Sequence, residues 1–470
     1  MLQEYDIRNK VGYCVGDNHG SNDKLLRRLS IKLKEAGIEA QFDPEQHRIR
    51  CHGHVLNIAA QAFFFSEDKK VVDEAFEEAW KRLEEDTELD EDQIEEILAK
   101  RFKKSKASKF TYRTLGPPGK IHNIVVSIRS SNAHYNHFVA TALRAIPMDN
   151  DTRWNSWYKM ILVALELREA VDAYQKAYVK FDEEDLLNAA DWQTLNDMKD
   201  FLQPFELVTK ETEGNMATLD KVLFTTDFMV EHFKLSLVKY ATNQRLCDAI
   251  TTSWHAFDKY YLKTDSVTVY GAALLLAPHR RKAYIHRNWE EAWKEPIVTA
   301  ARKLWIDHYR DRYEAEPRTQ EASKSRRQPD AYDEWEKRQA VVISIGDEFD
   351  RFINDPHVKL PNNTSALDWW LNPSNRIVYP SLYCMAINIL SIPPMSAEPE
   401  RIFSGARRTI SWQRMKLGPV NIERIECLKS WIRTGLVAGW RKELMMKLDT
   451  QKVQENVQEV DREGEFEDDD

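Results

Sequence analysis

The chain has 470 residues, 42% of them hydrophobic and 30% charged, with a net charge of −9. Fourteen Trp and seventeen Tyr are more than a disordered chain carries, so most of it is expected to fold, as roughly two to four domains. No run of about eighteen apolar residues occurs. The start, Met1-Leu2-Gln3-Glu4-Tyr5-Asp6, lacks an apolar signal core. Five scattered cysteines without C-x-x-C spacing exclude a disulfide framework and a four-cysteine zinc module, and fit a reducing compartment. Neither a membrane nor a small-molecule substrate is expected as a partner.

Residues 11–16 read as a short buried strand, followed by the turn Asp17-Asn18-His19-Gly20-Ser21-Asn22-Asp23. Asn22 or Asp23 is expected to cap a helix reaching about Ala36, with Leu25, Leu26, Leu29, Ile31 and Leu33 on its apolar side. Arg48–Cys51 reads as extended and Val55–Phe65 as a buried helix, so strand, helix, strand, helix suggests part of an α/β layer. Residues 67–96 hold fifteen acids against four bases, and an acidic helix is expected over 67–100. Lys100–Lys120 then carries eight bases and no acid. Such blocks are solvated faces, or a basic stripe that grips phosphate while the acidic block competes for it. Ser105–Gly119 reads as a loop, Ile121–Ser130 and His134–Ile146 as helices, and Trp157 to about Tyr313 as almost wholly helical. A polar linker follows over about 314–339. Residues 455–470 hold nine acids and one Arg, the composition of a disordered solubilising end. With −8 in that tail and −11 in residues 67–96, the rest of the chain is net positive.

Several short motifs are candidates for chemistry. Asp17 stands where a buried strand ends, an edge at which α/β sheets present ligands, though an Asx-turn role is the alternative. In Arg50-Cys51-His52-Gly53-His54-Val55-Leu56-Asn57, Cys51 and His54 lie three apart and share one side of a helix. Two such ligands do not make a zinc site; Cys51 and His54 read as positioning residues near the acids or DNA, and the alternative is a half-buried turn into a core helix. In Asp151-Thr152-Arg153-Trp154-Asn155-Ser156, Arg153 offers a phosphate fork and Trp154 a stacking face, or else Trp154 is a core residue opening a helix. Gly116-Pro117-Pro118-Gly119-Lys120 is not a phosphate loop, because Thr114 replaces the first Gly and Ile121 follows the Lys. Ser396-Ala397-Glu398-Pro399-Glu400-Arg401-Ile402-Phe403-Ser404 follows the breaker Pro393-Pro394 and sets carboxylates in the first turn of a new helix.

Taken in order, these motifs resemble the signatures of the hAT superfamily of cut-and-paste DNA transposases: D-N-x-x-x-N at Asp17, R-C-x-x-H-x-L-N at Arg50, T-R-W-N-S at Thr152 and S-A-x-x-E-R-x-F-S at Ser396. Trp369-Trp370, Leu390, Leu428 and Arg414-x-x-Leu417 resemble the family's dimerisation region, where Trp369, Trp370, Leu390, Phe403 and Leu428 are expected as core or interface.

The resemblance implies an α/β plus α protein that is predominantly helical overall. A partial RNase H-like core (1–66) leads to an acidic and basic insertion (67–120), core helices (121–156) and an all-α insertion (157–362). C-terminal core helices with the dimerisation region (363–435) and a C-terminal helix with an acidic disordered tail (436–470) close the chain. It implies Asp17 and Glu400 as catalytic metal ligands for Mg2+ or Mn2+. Arg153, Trp154, Cys51, His54 and Arg401 would serve DNA, with Trp154 beside a flipped base. The expected partners are a second copy and transposon-end DNA, and the expected location is the nucleus. The family's first catalytic Asp and its zinc finger are expected upstream of Met1. The chain alone is therefore expected to dimerise and contact DNA rather than cleave it. The alternatives are a domesticated, non-catalytic dimerisation factor or a transposon remnant.

Overall fold

The computed structural model describes residues 6–37, 42–64, 115–149, 154–178, 185–214, 217–311, 347–362, 364–397, 399, 402, 418–433 and 435. The chain divides into two units, Met1–Ser396 and Ala397–Asp470. The expected acidic helix, the basic segment to Arg113, the 314–339 linker and the acidic tail lie outside the described residues.

The first unit begins with two strands, β1 (Cys14–Gly16) and β2 (Arg48–Arg50), joined by α1 (Gly20–Glu35). They pair in parallel, Cys14 opposite Arg48 and Gly16 opposite Arg50, and parallel neighbours need such a crossover. α2 (His52–Phe64) follows β2 directly. The four expected elements are therefore present. Among the described residues the sheet has two strands only, and the protein is predominantly helical.

α1 starts earlier than expected. His19 is its N-cap, its ring nitrogen accepting the Ser21 amide. Asn22 and Asp23 are engaged elsewhere, by Asp17 and by Arg48. Leu26 and Leu33 pack with Phe42, and Leu29 is half-buried beside them. Leu25 and Ile31, expected on this apolar side, are 62% and 56% exposed. The 100° step per residue turns them away from the 26-29-33 row.

The helical part comprises α3 (Pro117–Arg129), α4 (Asn132–Ala142), α5 (Trp154–Glu166), α6 (Arg168–Ala177), α7 (Ala189–Glu213), α8 (Lys221–Lys239) and α9 (Gln244–Asp265). It continues with α10 (Thr268–Leu276), α11 (Arg281–Asn288), α12 (Glu291–His308), α13 (Glu348–Asn354), α14 (Ala366–Leu371), α15 (Pro373–Val378) and α16 (Pro380–Leu390). The loop expected to reach Gly119 ends sooner: Pro117 occupies the first helical position of α3, where its missing N–H costs nothing.

α10 is buried from Val269 to Leu276, as a helix that is apolar all round must be. A Cβ on Gly271 would stand 2.3 Å from Ile297 Cγ1, so glycine is what lets α10 and α12 approach. Around α10 one core gathers Leu223, Trp305, Phe349, Phe352, Trp370, Leu382 and Leu390. The Trp370 indole N–H donates to the Leu276 carbonyl at 2.9 Å. Residues on both sides of the expected 362/363 boundary thus share one core.

The strand pair is tied to this block. Ile49 belongs to the same core. Gln46 donates to the Ser266 carbonyl at 2.7 Å, and the Tyr270 hydroxyl accepts the Arg50 amide at 3.0 Å. α2 packs along α9, where Ser253 Oγ donates to the Ala59 carbonyl at 2.8 Å. In the second unit, α17 (Pro419–Arg433) carries Val420, Leu428 and Trp431 at 57%, 41% and 50% exposure, so Leu428 is a surface residue of this chain.

Candidate functional site

Because β1 and β2 run parallel, their C-terminal ends share one edge, and Asp17 and Cys51 emerge there side by side. The Cys51 amide donates to the Gly16 carbonyl at 2.8 Å, extending the ladder by one bond to the residue before Asp17. Asp17 is exposed. Its Oδ1 accepts from Asn22 Nδ2 at 2.5 Å and from the His19 amide at 3.2 Å. This is the Asx-turn geometry that short polar side chains adopt. It fixes the carboxylate while leaving Oδ2 for another partner. Asn18, next along, is 1% exposed, and its side-chain oxygen and nitrogen have no hydrogen-bond partner among the described residues.

A third segment reaches the same edge from the far end of the unit. The His52 amide donates to the Pro394 carbonyl at 3.0 Å, and the Ser396 amide donates to Cys51 Sγ at 3.4 Å, across 345 positions of sequence. A Cβ on Gly53 would stand 2.7 Å from Met395 Sδ, so glycine in R-C-H-G-H lets Met395 lie on the first turn of α2.

The electrostatics of the edge are basic. Arg48, almost fully buried, donates to Asp23 Oδ1 at 2.9 Å and to the Asp17 carbonyl. Arg50 stands 3.7 Å from the same Asp23 carboxylate. Burial, followed by the repulsion of Arg50, pushes the Lys263 ammonium down to about 8. Burial likewise holds the Tyr270 hydroxyl up at about 12. His52 is buried, with Nε2 3.1 Å from Thr225 Oγ1 and its ring edge-on to Phe257. Burial pushes it down to about 4, so it is neutral near pH 7.

The donor set suits one kind of ion. A fixed carboxylate with a spare oxygen is a ligand for a hard cation that keeps much of its water. Cys51 and His54 are not ligands of that class, and Cys51 is 4% exposed, with its sulfur already accepting the Ser396 amide. Among the described residues no group of three His, Cys, Asp or Glu converges as a metal site. Glu400, the expected second ligand, lies outside the described residues, as do Arg153, Arg401 and Phe403.

Two of the expected DNA contacts are placed elsewhere. Cys51 is buried and acts by holding the 394–396 segment. Trp154 is 3% exposed, with its ring tilted on Tyr158 and edge-on to Phe205. Its indole offers no face to a base, because it opens α5 into the core. His54, on the same helical turn as Cys51, is half-buried. In the dimerisation set, Trp370 and Leu390 are fully buried and Trp369 packs beside Phe352.

Three groups at this edge were not singled out from the sequence: Arg48, His52 and Tyr270. Arg48 was read only as part of an extended segment. Asn57, the last residue of its motif, has a visible task, since its Oδ1 accepts the Trp154 amide at 3.2 Å. It thereby satisfies one of the first, otherwise unpaired, donors of α5 from a neighbouring helix.

Comparison with known proteins agrees with this order of parts. Residues 49–201 match the model of the ZBED1 RNase-like helical domain, and residues 348–432 match that of the hAT family C-terminal dimerisation region. Over these two stretches the chain is similar to hAT-type proteins. It is similar to the zinc finger BED domain-containing protein DAYSLEEPER of Arabidopsis thaliana, 23% identical over 62% of this chain and 41% of that protein. The putative AC transposase of Zea mays is 22% identical over 92% of this chain and 50% of its own length. The putative transcriptional regulator tpeD of Talaromyces stipitatus is 21% identical over 98% and 50%. The chain spans about half the length of the curated relatives it matches.

Proposed function

We propose that this chain derives from an enzyme that cuts and joins DNA with divalent ions, and that Asp17 and Glu400 are its metal carboxylates on an RNase H-like edge. The observation that supports this reading is the hydrogen bond from Ser396 to Cys51. It brings the chain, four residues before Glu400, to the strand edge that presents Asp17. Mg2+ or Mn2+ held there supplies a Lewis acid for a scissile phosphate and for the attacking water or 3′-hydroxyl. The residues of this chain do the rest. Asn22 and His19 fix the Asp17 carboxylate, Arg48 clamps the turn behind it, and Arg50 and Lys263 give the edge a positive field for phosphate. DNA is the proposed substrate, a second copy the proposed partner, and the nucleus the proposed location.

The test is Mn2+ binding, followed by its electron paramagnetic resonance signal. Asp17→Asn and Glu400→Gln should each abolish the bound-ion signal, and undiminished binding in both variants would refute the metal reading. Incubation of a labelled transposon-end duplex with Mn2+ then separates catalysis from scaffolding. Nicking that disappears in Glu400→Gln supports an enzyme. Self-association by light scattering without nicking supports a non-catalytic dimerisation factor, a reading favoured by the exposed Leu428 and Trp431 in the dimerisation region.

A further inference from the structure

We propose that the outward face of α1 is a docking surface for the DNA backbone, which it guides to or from the Asp17 edge. The proposal rests on the functional reading above. It assigns the partner of a surface to which no motif pointed.

The helix is amphipathic in an unusual way. Its inner row, Leu26, Ser30 and Leu33, is buried, and its outer arc carries Arg27, Arg28, Lys32 and Lys34, all exposed. None of these four makes an ion pair among the described residues, and Glu35 is the one acid on that arc. Asp23, the other acid of α1, is turned inward and neutralised by Arg48 and Arg50. Among the described residues only Asp43, which feels Lys34, and Glu35 offset this charge, on a chain whose net charge is −9. Exposed bases on both flanks of one helix's outer arc, Arg27 with Lys34 and Arg28 with Lys32, are the electrostatic footprint of a nucleic-acid binder.

Geometry favours a polyanion strand over other anionic partners. Arg27 to Lys34 covers about 10 Å of helix rise. That is the length of about three phosphates at 3.4 Å per nucleotide of one strand. The exposed Leu25 and Ile31 are about 120° apart around the helix, so they form no single apolar stripe of the kind that buries itself in a bilayer. The helix is also fixed relative to the site. Arg48 bridges its first turn to the Asp17 carbonyl, and Asn22 of that turn holds the Asp17 carboxylate. DNA lying along the arc arrives at Asp17 without a hinge between them.

The experiment measures affinity of the full chain for a generic 30-base-pair duplex in EDTA across a salt series, so that no metal chemistry enters. Arg27→Glu/Arg28→Glu should weaken binding at least tenfold near 0.1 M salt and lower the log–log salt slope by about two, one per lost phosphate contact. Arg287→Glu/Lys303→Glu, two exposed bases on α11 and α12 with the same change in net charge, should shift affinity less than twofold. Far-UV circular dichroism and the melting temperature should match wild type in both. An unchanged slope in the α1 variant, equal weakening in both variants, or no wild-type binding would each overturn the proposal. So would stronger α1-dependent binding to phosphatidylserine vesicles than to the duplex. Loss of the Mn2+ signal in Asp17→Asn with an unchanged α1 slope sinks this surface and leaves the metal reading standing. A lowered α1 slope with no Mn2+ binding does the reverse.

Discussion

The helical block around α10 and the strand edge carrying Asp17 are built on opposite principles. The block buries large side chains: Trp305, Trp370, Phe349 and Phe352 are all fully buried, and Gly271 lacks the Cβ that would hold α10 and α12 apart. The edge has two strands of three residues and a small cluster of Leu26, Leu33 and Phe42. It is held by charge and hydrogen bonds instead: Arg48 on Asp23 and on the Asp17 carbonyl, Gln46 on Ser266, Ser396 on Cys51. A thin polar edge stays in place because it is pinned at several points to a rigid mass. The lesson is a division of labour, in which stability resides in the block and the candidate site lies at its rim.

Substitutions in the block should produce the largest effects. Trp370→Ala removes a fully buried indole and its bond to Leu276, and should cost about 3–5 kcal/mol, read as a lowered urea midpoint. A smaller loss there would mean that the two sides of residue 362 do not share a core.

The next effect sharpens the junction between the regions. His52 is held neutral, with its folded value near 4 below the ordinary 6.5. Unfolded chains take up a proton below about pH 6.5 that the folded chain refuses, so stability is full above that pH and falls as pH drops toward 4. The drop attributable to this group is at most about 3 kcal/mol. His279, pushed down to about 4 by burial and by Arg280, adds to the same window. Replacing His52 with Gln should flatten the pH 5–7 limb of the stability curve. An unchanged limb would place the acid sensitivity elsewhere.

Asn57→Ala deletes the acceptor that caps α5 from α2. It should cost about 0.5–2 kcal/mol, with hydrogen exchange speeding at the start of α5 before the rest of the unit. At the bottom of the scale, Leu25→Ser on the exposed arc of α1 should change stability by less than about 0.5 kcal/mol. A larger loss would show that the arc is covered in solution.

The local elements were legible because local rules decide them. The strand, helix, strand, helix order over 11–65 followed from apolar periodicity and from the turn residues at 17–23. Pro117 shows where reading failed: Gly-Pro-Pro-Gly looks like a loop, but Gly116 at φ +63 followed by a proline is also how a helix begins. Leu25 and Ile31 failed for another reason. Counting apolar residues does not tell which 100° sector meets a neighbour, and only the position of Phe42 selects the Leu26–Leu33 row. Trp154 carried equal appeal as a stacking ring and as a core residue. Its surroundings, Tyr158 one turn on and Phe205 some fifty positions away, decided for the core.

By itself the sequence determined the resemblance to hAT-type proteins, the order of the helices and strands, and the candidate residues Asp17 and Glu400, because motifs, caps and periodicity are short-range properties of the chain. Only the tertiary structure decided that Cys51 holds the Ser396 amide, that the 348–395 helices belong to the same core as α10, and that the bases of α1 are exposed. Those outcomes depend on which surfaces meet across hundreds of residues. That is set by packing a finite apolar area against a particular partner, and no local pattern encodes it.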